Sequence, residues 1–207
     1  MNAKAEIPRK TIYRLSIYQR CLQRLADNGQ DTVSSDALSK AAGVKSTQLR
    51  KDIAYFGQFG TRGLGYNVQT LSSVITEVLG TARLQPVILV GAGNLGSALL
   101  GYNGFNKEGF EITAAFDLDP DRPRPVALKV PIYRHDKIAE FIKLHGVKMA
   151  ILAVPVHCAQ SVANDLVDAG IQAILNFSPT FLEVPEHVTV NSVDLAVELE
   201  NLSYFIR

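Results

Sequence analysis

Three glycines near the middle of the chain have the spacing of a phosphate-binding turn. They directly follow the apolar run 87–90. In such a turn the first glycine permits the tight bend, the second lets the backbone approach a pyrophosphate, and the third allows a helix to pack closely on a strand. The anion then meets the positive end of that helix. The predicted turn consists of Gly91, Ala92, Gly93, Asn94, Leu95 and Gly96.

A carboxylate follows the next apolar run along the chain. Asp117 comes directly after residues 112–116 and lies 26 positions beyond Gly91. An acid at this place accepts hydrogen bonds from the adenosine ribose hydroxyls and repels a 2′-phosphate. The two features together predict NAD(H), rather than NADP(H), as the cofactor.

The pattern from residue 86 onwards alternates strands and helices, as a doubly wound parallel sheet requires. Strands are predicted at 86–90, 112–116, 149–154, 173–175 and 188–190, and helices at 94–102, 136–145 and 158–169. In such sheets ligands bind beyond the carboxyl ends of the strands. Four residues at those ends are therefore predicted to form walls of the cofactor site: Val154, Pro155, Asn176 and Phe177.

The N-terminal part differs from this region in charge. Residues 1–65 contain 11 basic and 5 acidic side chains, whereas residues 66–207 contain 10 basic and 15 acidic ones, so the overall net charge of +1 hides a polarised molecule. A basic segment of this kind suggests a polyanionic partner.

The same segment has the pattern of a helix-turn-helix. After a long amphipathic helix that ends near Gly29, a short helix capped by Ser34 runs to a turn at Gly43, and a second helix, capped by Ser46 or Thr47, extends to Phe56. The second helix of such a pair enters the major groove. Its predicted DNA-contacting residues are Lys45, Ser46, Thr47, Gln48, Arg50, Lys51, Tyr55 and Phe56.

A glycine-rich segment, 57–66, follows this helix and has Arg62 near its centre. A hairpin with an arginine at its tip is typical of a wing that touches the DNA backbone or minor groove. The alternative is a small helical adaptor domain with a solvated basic face. Charge, wing and helix caps together favour DNA binding.

Composition sets the outer limits. With 207 residues, 47% of them apolar, the chain is long enough for one or two domains, and it contains no apolar run of membrane-spanning length, so we expect a cytoplasmic protein without a membrane or metal partner. Cys21 and Cys158 lack the spacing of a metal site or a disulfide framework.

Two other functions stay open at this point. An NAD-dependent dehydrogenase would need a substrate domain, and the roughly 120 residues after the linker leave no room for one. A CoA- or nucleotide-binding module without a DNA role would show no specific DNA binding.

Several motifs together resemble the Rex family of redox-sensing transcriptional repressors. They are the segments 50–57 (RKDIAYFG), 60–66 (GTRGLGY), 90–99 (VGAGNLGSAL) and 176–179 (NFSP). The resemblance covers nearly the whole chain. It implies an α/β protein with a winged-helix DNA-binding domain at 1–80, a linker at 81–85, a Rossmann domain at 86–191 and an exchanged dimerisation helix at 192–207.

The resemblance also implies a function and a switch. A homodimer would repress genes of NADH reoxidation and of fermentative or respiratory metabolism by binding a pseudo-palindromic operator, and NADH would release it. Arg20, Tyr102 and Asp194 would couple the nicotinamide pocket to the DNA-binding domain. Because oxidised nicotinamide carries a ring charge, a pocket walled by Tyr102, Phe105 and Phe177 is expected to bind NADH more tightly than NAD+.

Overall fold

The computed structural model describes residues 7–61, 63–124 and 129–206. The predicted wing residue Arg62 lies outside these ranges. The chain divides into two compact units, Met1–Arg83 and Leu84–Arg207.

The first unit combines helices with a small antiparallel sheet. Its elements are α1 (Arg9–Asp27), β1 (Thr32–Val33), α2 (Ser35–Ala41), α3 (Ser46–Ala54), β2 (Gly60–Thr61), β3 (Gly65–Asn67) and α4 (Val68–Leu79). The strands lie in the order β1-β3-β2, so β2 and β3 form a hairpin directly after α3. This is the arrangement of a winged helix-turn-helix.

Apolar spacing explains how these helices pack. Leu15 and Leu22 on α1, Leu49 and Ile53 on α3, and Leu71 on α4 are at most 2% exposed and belong to one cluster. Residues three, four or seven apart share a helix face, so each helix turns one apolar stripe inward and leaves its polar face to solvent.

Of the two helix caps predicted in this unit, one is confirmed and one is wrong. Ser34 caps α2, because its Oγ accepts a hydrogen bond from the backbone N of Ala37 at 3.0 Å. A cap at Ser46 or Thr47 is wrong: the N-cap of α3 is Lys45, whose backbone is extended and whose side chain makes no capping bond. Val44 and Lys45 both lie between Gly43 and the helix, so Ser46 is the first helical residue.

The second unit is built on a parallel six-stranded sheet. Its elements are β4 (Gln85–Val90), α5 (Asn94–Leu100), α6 (Gly104–Lys107), β5 (Phe110–Asp117), β6 (Ile132–Arg134), a 3₁₀ turn (His135–Lys137), α7 (Ile138–His145), β7 (Met149–Leu152), α8 (Val156–Ala169), β8 (Ala173–Asn176), β9 (Thr189–Ser192) and α9 (Leu195–Tyr204). The strand order is β6-β5-β4-β7-β8-β9. Counted within the unit this is 3-2-1-4-5-6, the order of dinucleotide-binding sheets.

Both faces of the sheet are covered by apolar side chains. Ile88 and Val90 pack on one face with α7 and α8, whereas Val87 and Leu89 pack on the other with residues of α5 and α6. Burial on both faces explains why the central strand is an uninterrupted apolar run rather than an alternating one. The predicted α/β fold is confirmed, with β6 and α6 as additional elements.

Candidate functional site

A cavity of about 920 Å³ opens in the second unit where the strand order reverses. β4 pairs with β5 on one side and with β7 on the other, so the loops after β4 and β7 diverge. Gly91 and Gly93 line the cavity from the first loop, and Val154 and Pro155 line it from the second. Sheets of this order bind ligands in this crevice.

Each glycine of the turn has a separate structural role. Gly91 has φ +95°, and a Cβ there would lie 2.5 Å from the carbonyl oxygen of Ala153. A Cβ on Gly96 would collide with the carbonyl oxygen of Gly91, so only glycine lets α5 pack this closely on the turn. Gly93 lines the cavity, and a Cβ there would meet no protein atom within 4 Å. The space beside Gly93 is thus open to a ligand.

The carboxylate of Asp117 holds the turn and also lines the cavity. Its Oδ2 accepts a hydrogen bond from the backbone N of Ala92 at 2.7 Å, and its Oδ1 accepts one from the backbone N of Asp119 at 3.0 Å. Arg124 lies beside it, with Nη2 3.9 Å from Oδ2. Its guanidinium donates to the carbonyl of Ala92 in the turn and to three carbonyls of the loop after β5. Asp117 is therefore an ordered acceptor at the rim of the crevice.

Not every predicted cofactor residue reaches the cavity wall. Those that line it are Gly91, Gly93, Asn94, Leu95, Asp117, Val154, Pro155 and Phe177. Ala92 and Gly96 are buried in the turn itself. Asn176 is 0% exposed, and its amide nitrogen donates to the carbonyls of Ser178 and Thr180 while its oxygen accepts from the backbone N of Ser178. Its side chain shapes the loop after β8.

Tyr102 lies outside this wall and is 60% exposed. Its ring meets that of Phe105 edge to face, with centroids 5.1 Å apart. It also covers Gly104 so closely that any Cβ at that position would collide with the ring. Gly104 thus permits the ring to fold back over α6.

The cavity includes side chains that the sequence patterns did not indicate. His135, after β6, and Asp165, on α8, both line it, and His135 Nε2 lies 4.0 Å from Asp165 Oδ2. Within the described part of the chain, His135 Nε2 is buried without a hydrogen-bond partner. Strand β6 has only three residues, too few for a periodic signal, although a polar residue directly after Ile132–Arg134 could have drawn attention to it.

The nucleic-acid candidates among the described residues lie on α3 or directly beside its ends. Lys45, Thr47, Arg50 and Lys51 are exposed, Tyr55 is 48% exposed, and Ser46, Gln48 and Phe56 are half-buried. Arg50 donates from Nε and Nη2 to Ser35 Oγ at 3.2 and 3.1 Å, and its Nη2 lies 3.7 Å from Asp36 Oδ1. The start of α2 therefore orients this arginine.

Behind the exposed face, the carboxylate of Asp52 is buried among five donors. Its Oδ1 accepts from Arg14 Nη2 at 2.7 Å, Gln48 Nε2 at 2.9 Å and Thr11 Oγ1 at 3.2 Å. Its Oδ2 accepts from Arg14 Nε at 2.6 Å and from the Tyr18 hydroxyl at 2.8 Å. Burial alone would raise the pKa of Asp52, but the hydrogen bonds from Arg14, Tyr18 and Gln48 hold that pKa below its ordinary value.

The described residues contain neither a membrane-spanning helix nor a metal-binding cluster. Their helices include none with the length and apolarity to cross a membrane. Their His, Cys, Asp and Glu side chains form no group of three or more that could hold a metal ion.

Two family models match the chain, one in each unit. Residues 6–54 match the model described as "Putative DNA-binding protein N-terminus", and residues 83–180 match the CoA binding domain. CoA and NAD both contain an adenosine diphosphate group, so the second match agrees with a nucleotide crevice.

Relatives match over nearly the full length. The redox-sensing transcriptional repressor Rex of Pelotomaculum thermopropionicum is 47% identical over 96% of this chain and 93% of its own. The Rex protein of Streptomyces coelicolor is 44% identical over 96% of this chain and 77% of its own.

Solved structures agree with these relatives. RSP in complex with β-NAD+ and operator DNA superposes with a TM-score of 0.89 at 37% identity, over 98% of this chain and 93% of its own. RSP in complex with β-NADH gives a TM-score of 0.85 at 36% identity, over 97% and 94% of the two chains.

Proposed function

Because the chain belongs to the Rex family of redox-sensing transcriptional repressors, we propose that it binds operator DNA through its first unit and responds to the NADH/NAD+ ratio through the crevice of its second. The observation that supports this most strongly is the presence of both sites in one chain. A winged helix-turn-helix carries the basic surface, and a dinucleotide sheet carries the glycine turn with Asp117 beside it. The relatives are named as repressors, which favours a regulator over the dehydrogenase alternative.

The DNA surface consists of the N-terminal half of α3 and its exposed face. Arg50 suits the edge of a guanine, because its planar guanidinium donates two parallel hydrogen bonds. Lys45 and Lys51 suit phosphates, which they hold as point charges. The DNA-binding domain extends over 1–80 and the linker over 81–84, because Gln85 is already the first residue of β4. The protein acts in the cytoplasm.

The residues of the crevice fit NAD(H). The open space beside Gly93 admits a pyrophosphate, Asp117 accepts from ribose hydroxyls, and the orphaned Nε2 of His135 offers a polar group to the adenosine end. When bound, NAD supplies a nicotinamide ring that is charged in the oxidised state and neutral in the reduced state. Phe177 and Val154 make the nicotinamide end of the cavity apolar. Because an apolar wall disfavours the charged oxidised ring, NADH binds more tightly than NAD+. Asn176 contributes indirectly, because its amide holds the loop after β8 through hydrogen bonds to the loop backbone.

A second copy of the chain covers the last helix. Apolar side chains of α9 are exposed, among them Leu199 at 67% and Leu202 at 63%. A helix with such a stripe buries it in a partner. We therefore propose a homodimer with exchanged terminal helices over 192–207, in which Arg20, Tyr102 and Asp194 form the switch. Asp194 also caps α9, because its Oδ1 accepts from the backbone N of Ala196 at 2.9 Å.

Fluorescence anisotropy tests this function. The probe is a labelled genomic fragment enriched by the protein itself, titrated with protein alone and with NAD+, NADH or CoA. We expect tight binding that NADH abolishes and that NAD+ and CoA leave intact. The Asp117→Ala variant is the control, since it should bind the fragment normally and lose the NADH response. Binding that is indifferent to NADH would reject the sensor, and absence of specific binding would reject the repressor.

A further inference from the structure

The carboxylate of Asp52 belongs to the helix that carries the proposed DNA contacts, yet its side chain is only 1% exposed. Removing an anion from water is unfavourable unless donors replace the lost hydration. An apolar residue would fill this position of α3 without that cost, as Leu49 and Ile53 do at neighbouring buried positions. The buried carboxylate of Asp52 therefore has a role other than filling the core.

Its donors come from two helices. Thr11, Arg14 and Tyr18 are three and four residues apart and form one stripe along α1, whereas Gln48 lies one turn before Asp52 on α3. Apolar side chains of both helices also belong to one buried cluster. Apolar contacts are not directional and tolerate sliding, whereas five hydrogen bonds to one carboxylate fix both position and rotation.

From this geometry we propose that Asp52 is a positioning residue for operator recognition, which sets the register of α3 on α1 and the amide plane of Gln48. The inference rests on the proposed function, in which α3 enters the DNA groove. It gives Gln48 a defined orientation: with one amide N–H held by Asp52 Oδ1 at 2.9 Å, the carboxylate decides which amide edge faces a base.

The charge of Asp52 does not oppose DNA binding. Arg14 pairs with it through two hydrogen bonds, of 2.6 and 2.7 Å, so the pair carries no net charge toward phosphates. The hydrogen bond to Asp52 and their mutual attraction raise the pKa of Arg14 well above its ordinary value. Both shifts favour the ionised form of the pair.

The test measures base-pair preference separately from stability. Wild-type protein selects duplexes from a random DNA pool, and affinities are then measured for the selected duplex and for its single base-pair variants. Asp52→Asn removes the charge at constant volume, and Tyr18→Phe removes one donor while keeping the ring. Ser72→Ala is the matched control, because it breaks the bond from Gln19 Nε2 to Ser72 Oγ (2.8 Å), which joins α1 to α4 without touching α3.

We expect Asp52→Asn to reduce discrimination at the base pair that Gln48 faces by about tenfold, and Tyr18→Phe to reduce it by a smaller factor. Ser72→Ala should lower the melting temperature and leave the preference unchanged. In a Gln48→Ala background, Asp52→Asn should cause no further loss at that base pair, since the carboxylate acts there through Gln48.

Two results would contradict these expectations in distinguishable ways. If Tyr18→Phe and any folded Asp52→Asn protein melt earlier but keep the wild-type base preferences, Asp52 is only structural and the inference is overturned. Should Asp52→Asn fail to fold, Tyr18→Phe decides the question by the same measure. A wild-type protein that selects no sequence would overturn the proposed function, and the inference with it.

Discussion

Tyr18 and Asp52 carry opposite pKa shifts, and the hydrogen bond between them contributes to both. Burial, followed by the hydrogen bond to Asp52, raises the pKa of Tyr18, whereas that of Asp52 is lowered by its donors in spite of burial. The folded state therefore retains the tyrosine proton at a pH at which the unfolded chain has lost it. Each shift makes stability depend on pH in a different range.

The Tyr18→Phe variant should therefore be less sensitive to alkali than the wild type. A raised folded pKa contributes stability that is complete below the unfolded tyrosine pKa of about 10 and is lost as pH rises through the folded value. The wild type should thus lose stability above about pH 10 more steeply than the variant. Denaturant unfolding at pH 8 to 11 measures this, and parallel curves for the two proteins would contradict it.

Arg50 and Lys51 are neighbours with different expected roles. If Arg50 contacts a guanine, Arg50→Ala should weaken the free energy of DNA binding by about 1 to 3 kcal/mol and reduce the preference at one base pair. Lys51→Ala should weaken binding to all DNA sequences alike, because a phosphate contact carries no sequence information. Anisotropy with the selected duplex and its single base-pair variants separates the two. An equal loss of affinity for every duplex in Arg50→Ala would show that this arginine contacts the DNA backbone instead.

At the scale of elements, the junction of β4 and α5 contains two glycines with different roles. Gly96 permits contact between the helix and the turn, and Gly93 leaves space for a ligand. The two positions are three residues apart. Packing within the protein requires glycine at 96, whereas in the proposed function the ligand requires it at 93.

Alanine at these two positions should separate the two requirements. Gly96→Ala should displace the turn, lower stability by about 1 to 3 kcal/mol and abolish NADH binding. Gly93→Ala should preserve stability, since its Cβ meets no protein atom, and still weaken NADH binding because the methyl group occupies the pyrophosphate space. Thermal unfolding and NADH fluorescence titration measure both effects. Unchanged affinity in Gly93→Ala would place the pyrophosphate elsewhere.

At the scale of the whole molecule, charge and apolar surface are unevenly distributed. The basic side chains are concentrated in residues 1–65, and the exposed apolar helix is at the other end of the described chain. These features support the proposed division, in which one unit binds DNA and the other joins the subunits. Two copies would then read an operator with two half-sites.

Loss of the apolar stripe of α9 should yield monomers. Leu199→Asp introduces a charge into the proposed interface, where it would be desolvated without a partner. Sedimentation velocity should show a dimer for the wild type and a monomer for this variant. Glu198→Gln, one position earlier, is the matched control and should stay dimeric. A dimer in both would show that α9 does not join the subunits.

NADH should also change the shape of the dimer. Two recognition helices match successive half-sites only when they are about 34 to 36 Å apart. Shifting the population from 1:99 to 99:1 needs about 5.5 kcal/mol of differential binding, which two nucleotide sites could share. Small-angle scattering should therefore distinguish the NADH and NAD+ complexes. Identical curves would exclude a mechanism based on dimer geometry.

Local patterns were sufficient to predict much of the fold. The run 86–90, the glycine turn and the stripe of α1 each involve neighbours in sequence, so their periodicity and backbone requirements can be read directly. Ser34 was recognisable as a cap for the same reason. The three-residue strand β6 was not predicted, because it forms only by pairing with β5 and is too short to show a pattern of its own.

The chemistry of single residues depended on contacts across the fold. From sequence, Asp52 was one residue of a motif, and the tertiary structure makes it the acceptor of donors 34 to 41 positions away. Asn176 was predicted at the cofactor site and is instead buried within its loop. Local sequence patterns were enough to indicate most helices and strands, the glycine turn and the charge asymmetry, because these depend on local backbone preference and composition. Which polar groups are buried, and which partners they find, was decided only by packing between distant segments.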